Sequence, residues 1–584
     1  MSSESQGVNT RLERGRGRGR GRGRRSRGGS RGAGRGSSRG AGRGNGRKRK
    51  AENKQPDSAA GGKKKKTDGN PGWKTVSKDE VIVNSNADVP FHENTGPSRL
   101  ASVPETPFQF LQLFFTDAMF EKIAHETNSY FDYVKDKSDK ALKFEKTNSN
   151  EIKAFLGLHV AMGIAKLPSV YDYWATGITN MPFFSAVMKR DRFLELAKYL
   201  HLVDNKTAVD KNHPNYSKLF KLGGLDEELS KSFESCYKPS QNLSIDEQMI
   251  GMKSRVSFIQ YMPKKPKKFG IKLWACCDAE SSFCLRFQIY TGASDDGVEH
   301  GLAYRVVFYL MEPYLDKAFH LYVDNFYTNL KLIQDLENRK TYACGTVRSN
   351  RGEFPKQFKE AKLDVGESLF IQIGNILAVH WKDKRDVFVM TSIHGNDTQI
   401  ITRHKGEVTK PDMIQDYNQN MGGVDKLDQR LSYYSLDRKS KKWWKKVFFR
   451  LFEMSVVNSL ILFHAKFPEL AKKKGSHKNY RKMLVHEMIQ PFLDDYANNY
   501  VEPRGRPAKE PARKSKLNVD PVVRLTGKHF RKTRHPRGRC CICAYQINPK
   551  TGKVRDKKTF DYCPKCNKYV CEECFEDFHT KSNI

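Results

Sequence analysis

Acidic side chains are scarce in this 584-residue chain: 66 Asp and Glu stand against 104 Lys and Arg, a formal charge of +38 at pH 7. An excess of that size calls for a polyanionic partner, either nucleic acid or an anionic membrane. Long apolar runs are missing too. No uninterrupted stretch approaches the ~20 residues a bilayer-spanning helix needs, and no apolar segment follows the N-terminus as an export signal would. The membrane is set aside and nucleic acid retained, and nothing points to a small-molecule substrate. The missing export signal also bears on the twelve cysteines, which are expected to be reduced rather than bridged.

Apolar side chains are almost absent from residues 1–70, where RGRGRGRGRGRR runs into RGG-like sequence. Nothing there offsets the entropy of ordering the backbone. The first 72 residues hold 22 Lys or Arg against five Asp or Glu. Glycines keep the arginines mobile, and arginine contacts phosphate bidentately and stacks on bases. Sequence-indifferent nucleic-acid binding is the expectation, against a purely solubilising linker. RKRK at 47–50 and KKKK at 63–66, with a polar spacer between them, predict import into the nucleus. Residues 1–98 are assigned to this disordered basic tail.

From residue 99 the pattern becomes helical. Thr116 is placed to cap a helix carrying Phe120, Ile123, Ala124 and Thr127 at helical spacing. Ile152, Phe155, Leu156 and Val160 mark a second helix, and residues 192–202 a third. His159, in the second, has no partner motif and is taken as a core residue. Residues 99–241 form this helical region.

At 242 short strands begin. NLSIDEQMIGMK places Asp246 among Leu243, Ile245 and Met249, an acid where a core residue is expected. Burying a carboxylate unpaired costs several kcal/mol, so such an acid usually meets a cation or a donor. FHLYVD repeats the arrangement and ends on Asp324; GGVDKLDQRL brings a third acid, Asp425, with Asp428 three residues on and on the same helical face. Taken singly, each Asp could cap a helix or pair with a lysine. Three of them on separate elements suit Mg²⁺, which takes one or two protein carboxylates and leaves its other positions to phosphate and water.

Strands are further expected at 256–262, 271–277 and 283–290, with a helix over 327–339 after the second Asp. Lys264, Lys265, Lys267 and Lys268 lie on the loop PKKPKKFG near the first Asp and are assigned to phosphate contact. Residues 242–350 and 411–434 make one core, and 351–410, which alternates like β structure, reads as an insertion domain splitting it. Residues 435–516 are a second helical, basic region. There Arg438, Lys439 and four lysines surround Trp443 and Trp444, an interleaving that suits a stacked base beside phosphates. One of the two Trp is expected to pack inward instead. RGRP at 504–507 is a short AT-hook-like run or a plain linker.

Seven cysteines crowd into 540–574, including the pairs Cys540/Cys543, Cys563/Cys566 and Cys571/Cys574. Six thiolates plus histidines exceed one tetrahedral site and predict two Zn²⁺ ions within residues 529–584. A cross-brace of the RING or PHD kind joins pairs one and three on one ion. Pair two is left with His579 and an upstream histidine, taken as His529 over His535. Cys541 breaks the spacing and is spare.

SIDEQMIGMKSR, YMPKKPKKFGIKLW, VDNFYTNLKL, GTVRSNR and MGGVDKLDQ together resemble the piggyBac family of DDE/D transposases, in order from about residue 99 onward. The resemblance implies a multi-domain α+β chain with an RNase H-like α/β catalytic core. It implies cleavage and joining of double-stranded DNA with two Mg²⁺ ions. The metal-binding acids fall on Asp246, Asp324 and Asp425, Asp246 shared between the ions, and the auxiliary acid on Asp428. Also implied are DNA binding and homodimerisation by the helical region, Trp443 against DNA, target-strand contact by the insertion, hairpin intermediates and a TTAA target. A host-adapted nuclear DNA-binding protein that no longer cuts is the alternative, and a ubiquitin ligase with RING-type zinc a more distant one.

Overall fold

The structure, a computed structural model, describes residues 72–77, 79–86, 89–137, 144–263, 265–292, 301–349, 352, 354–403, 406–498, 524–525, 527–546 and 555–581. The basic tail over 1–70, Lys264 and the 499–516 linker lie outside them.

Ten strands form the central sheet in the order β1-β10-β11-β12-β9-β8-β4-β6-β5, with β7 paired to β6. The strands are β1 (Lys74–Thr75), β4 (Asn242–Gly251), β5 (Ile259–Tyr261), β6 (Phe269–Asp278), β7 (Cys284–Ile289), β8 (His320–Val323), β9 (Tyr342–Thr346), β10 (Ser368–Ile373), β11 (Ile376–Lys382) and β12 (Asp386–Thr391). Small sheets are made by β2 (Gly96–Pro97) with β3 (Tyr237–Lys238), by β13 (Thr398–Arg403) with β14 (Gly406–Pro411), and by β15 (Lys532–Arg539), β16 (Lys558–Cys563) and β17 (Lys568–Tyr569). β4 is the pivot: it runs antiparallel to β6 on one side and parallel to β8 on the other. β8 in turn runs parallel to β9.

Helices pack against this sheet, and their starts follow from local chemistry. Thr116 accepts from Met119 N at 3.3 Å, and Asn329 accepts from Leu332 N at 2.9 Å, each satisfying an orphan amide of a first turn. The Trp443–Lys466 helix is buried nearly all round. It alone among the described residues is long and apolar enough to cross a membrane by length and composition, but most of it is enclosed by the protein. His159 lies inside the helical layer, its ring stacked with Phe449 at 4.5 Å and its Nδ1 3.0 Å from Phe155 O.

Two boundaries differ from expectation. The described residues between 72 and 98, assigned to the tail, pack against the rest of the chain: Trp73 and Val76 are buried, β1 pairs with β10, and Asn86 Nδ2 donates to Ser392 O at 2.9 Å. Polar side chains there hide a segment that buries few apolar groups, so composition could not reveal it. The stretch 351–410 is not a separate body either. Its strands β10, β11 and β12 continue the central sheet through β12–β9 pairing, Val389 opposite Thr346. Alternation shows that a strand exists, not which sheet it joins. The strand expected over 256–262 shrinks to the three residues of β5.

Candidate active site where two parallel strands part

Ile245 of β4 lies opposite Val323 of β8. Asp246, midway along β4, and Asp324, the residue after β8, follow that pair, so register alone sets both acids at one level, where the parallel pairing of the two strands ends. In open α/β sheets ligands bind at that edge. Asp425 arrives from the Gly423–Tyr433 helix, in its first turn. A Cβ on Gly423 would stand 2.3 Å from Ser244 Oγ and 3.1 Å from Asp278 O. Only glycine lets this helix start so close to β4, two residues before Asp246.

The electrostatics are those of uncompensated negative charge. Burial, and then the neighbouring Glu247 carboxylate, push Asp246 up to about 8. Burial also raises Asp324, with Glu247 adding to it, although Phe326 N donates to its Oδ1 at 2.8 Å. Two cations answer. Lys265 Nζ stands 3.5 Å from Glu247 Oε1. Burial pulls its ammonium down, but the charges of Asp246, Glu247 and Asp425 outweigh that and hold it above its ordinary value. Lys272 lies 4.6 Å from the Phe326 ring and 5.0 Å from that of Trp274, and burial lowers it.

Buried polar atoms without hydrogen-bond partners lie nearby: Tyr327 Oη, which feels the charges of Asp246, Glu247 and Asp324, and the side chains of Ser244 and Gln248, which alternate onto the same face of β4 as Asp246. Such atoms cost free energy unless something polar joins them. Hard carboxylate oxygens in cationic deficit, with idle donors and acceptors beside them, suit a hydrated divalent cation.

Asp428 stands apart: its carboxylate is ion-paired with Arg450, so it is not presented to the site as a free acid. Arg438, expected at phosphate, is turned inward and donates to Tyr173 Oη at 2.6 Å and Met162 O at 3.1 Å. Its flanking position next to Trp443 gave no hint of those internal acceptors. Lys439 is exposed. Trp443 is half-buried, edge-on to Phe258 at 5.3 Å, and Trp444 is buried. Lys265, also expected at phosphate, is directed at Glu247, with its side chain partly open to solvent. Sequence reasoning passed over Glu247, Lys272, Tyr327 and Arg450; of these only Glu247, beside Asp246, carried a signal.

A second centre occupies the C-terminal segment. Cys540, Cys543, Cys571 and Cys574 form one cluster and His529, Cys563, Cys566 and His579 another, each with its ligand atoms within 4.8 Å of one another. His579 Nδ1 donates to Phe575 O at 2.7 Å, which leaves Nε2 facing Cys566 Sγ at 3.4 Å. Both sets have the donor types and number of a tetrahedral metal site. Cys541 belongs to neither.

A family model described as Transposase IS4 matches residues 106–460. PiggyBac transposable element-derived protein 3 of Homo sapiens is 28% identical over 512 residues, spanning 83% of this chain and 78% of that protein. PiggyBac transposable element-derived protein 5 of Homo sapiens is 22% identical over 419 residues, spanning 68% and 78%. The fold is similar to a piggyBac transposase solved by cryo-EM as a synaptic complex with hairpin DNA, with a TM-score of 0.62 and 25% identity over 84% of this chain and all of that one.

Proposed function

The chain belongs to the piggyBac-type transposase family, and on that premise we propose that it cuts and rejoins double-stranded DNA, excising an element and inserting it at TTAA through hairpin ends. The observation that supports the reading is the level placement of Asp246 and Asp324 by the parallel pairing of β4 and β8, with the helix that carries Asp425 packed on β4 through Gly423. In this reading β4, β6, β7, β8 and β9 with the Gly423–Tyr433 helix make the RNase H-like core.

Asp246, Asp324 and Asp425 would hold two Mg²⁺ ions, Asp246 in common. When bound, these supply Lewis acidity and charge neutralisation for in-line displacement at phosphorus. The protein's own part is positional. β4 and β8 fix two carboxylates by register, Ser244 and Gly423 fix the approach of the third, and Arg450 holds Asp428 out of the centre. The two Cys/His quartets would each carry a structural Zn²⁺ and keep the 524–581 module folded. The +38 charge and the solved relative's hairpin DNA support duplex DNA as partner. Homodimerisation and nuclear location, the latter from the basic runs at 47–50 and 63–66, complete the proposal.

A second reading rests on the relatives' names, which describe proteins derived from transposable elements: the chain keeps the fold and binds DNA but no longer cuts it. An in-vitro cleavage assay on terminal-repeat DNA with Mg²⁺ separates the two. Nicking by the wild type, abolished in each of Asp246→Asn, Asp324→Asn and Asp425→Asn with DNA binding retained, supports the transposase. Binding without nicking supports the second reading.

A further inference from the structure

Four carboxylates meet at the site, Asp246, Glu247, Asp324 and Asp425, and two ammonium groups face them, Lys265 and Lys272. The two lysines are held differently. Lys272 sits on β6, between Ile271 and Leu273, which pair with β4, and its ammonium lies against the Trp274 and Phe326 rings. Its backbone is fixed by the sheet and its ammonium is held by the two rings. Lys265 sits on the turn between β5 and β6, closed by Met262 N donating to Lys268 O at 2.8 Å. Its side chain keeps 31% of its surface open. The ammonium reaches inward, donating to Glu247 O at 3.3 Å and standing 3.5 Å from Glu247 Oε1. The charges of Asp246 and Asp425 act on it as well, so one flexible side chain answers acids from both β4 and the Gly423–Tyr433 helix.

A cation on a flexible stem, placed among acids that suit divalent metal, competes with that metal for the same carboxylates. We propose that Lys265 is a displaceable counter-ion: it holds the acid site together when no divalent cation is bound and is driven out of it when one binds. The inference rests on the reading of these acids as a metal site. A lysine suits the task because its point charge needs no fixed hydrogen-bond fork, so it can leave without breaking a bidentate pair.

The test uses full-length protein without DNA. Mg²⁺ binding is measured by titration calorimetry, and thermal unfolding is recorded in EDTA and at saturating Mg²⁺, for wild type, Lys265→Met, Lys265→Gln and Asp246→Asn. Losing the competing charge should tighten Mg²⁺ binding about tenfold in both lysine variants, the scale of one unit charge at close range in a water-like medium. Both variants should melt below wild type in EDTA, and the gap should close with Mg²⁺. Wild type that binds Mg²⁺ while neither lysine variant binds it more tightly would overturn the counter-ion role alone. Wild type that binds no Mg²⁺, or binds it as well after Asp246→Asn, would overturn the metal site and this inference with it.

Discussion

Gly423 packs against Ser244 with no room for a methyl group: a Cβ would come within 2.3 Å of the serine hydroxyl. This contact ties the helix bearing Asp425 to the strand bearing Asp246. Gly423→Ala should therefore force the helix off β4, at about 1–3 kcal/mol for overpacking a tight contact, and lower cleavage further than the stability loss explains. Ser244→Ala in the same chain removes the hydroxyl and should restore part of both. Thermal unfolding and nicking rates of the single and double variants decide it. A Gly423→Ala protein with wild-type melting and nicking would show that the approach is not critical.

How much of this could be read beforehand depends on whether a feature is written in local pattern. Acids ending apolar strands are local, and so are Cys-x-x-Cys pairs; the quartets in the structure use the same residues the spacing singles out. Partner choice is not local. Arg450, in a helix that begins ten residues past the end of its partner's helix, takes Asp428; Tyr173 and Met162 take Arg438. A charge run looks the same whether its members face solvent or internal carbonyls. The segment around Trp73 is not legible in its own sequence because it is held by pairing with β10, far along the chain, and Gly423 shows its reason only against Ser244.

The raised Asp246 gives stability a direction with pH. Its carboxyl ionises at 3.8 in the ordinary case and at about 8 in the folded chain. Between those values the unfolded state has released the proton and the folded state has kept it. The contribution of this one group to stability is thus fullest below pH 4 and falls as pH rises toward 8, with a slope of at most ~1.4 kcal/mol per pH unit. Asp246→Asn removes that titration. Unfolding of the protein in EDTA at pH 5, 6, 7 and 8 should show a decline in wild type and a shallower one in the variant. Parallel profiles would mean the acid is not held neutral.

The cysteine clusters predict unequal roles for neighbours in sequence. Cys540 belongs to a quartet and Cys541 to none. Wild type and Cys541→Ser should each carry about two Zn²⁺ per chain, and Cys540→Ser or Cys566→Ser about one. A chelator should unfold the 524–581 module, whose apolar core beyond the ligands is little more than Ile542, Val570 and Phe578. Metal analysis and limited proteolysis read both. Two ions retained in Cys540→Ser would break the pairing.

Arg438 and Lys439 are adjacent and both basic, yet they should fail differently. The Arg438 guanidinium is engaged by Tyr173 Oη and Met162 O, while Lys439 is exposed. Arg438→Ala removes the charged hydrogen bonds to Tyr173 Oη and Met162 O, at about 1–3 kcal/mol, so it should lower the melting temperature and leave the salt dependence of DNA binding unchanged. Lys439→Ala should do the reverse. If Lys439 meets a phosphate, its loss reduces the slope of log K against log salt by about 0.9 on duplex DNA, with stability intact. Binding titrations at several salt concentrations, run beside thermal unfolding, distinguish the two. A changed slope in Arg438→Ala at wild-type stability would mean that this arginine turns outward to the backbone when DNA binds, exchanging internal carbonyls for phosphate.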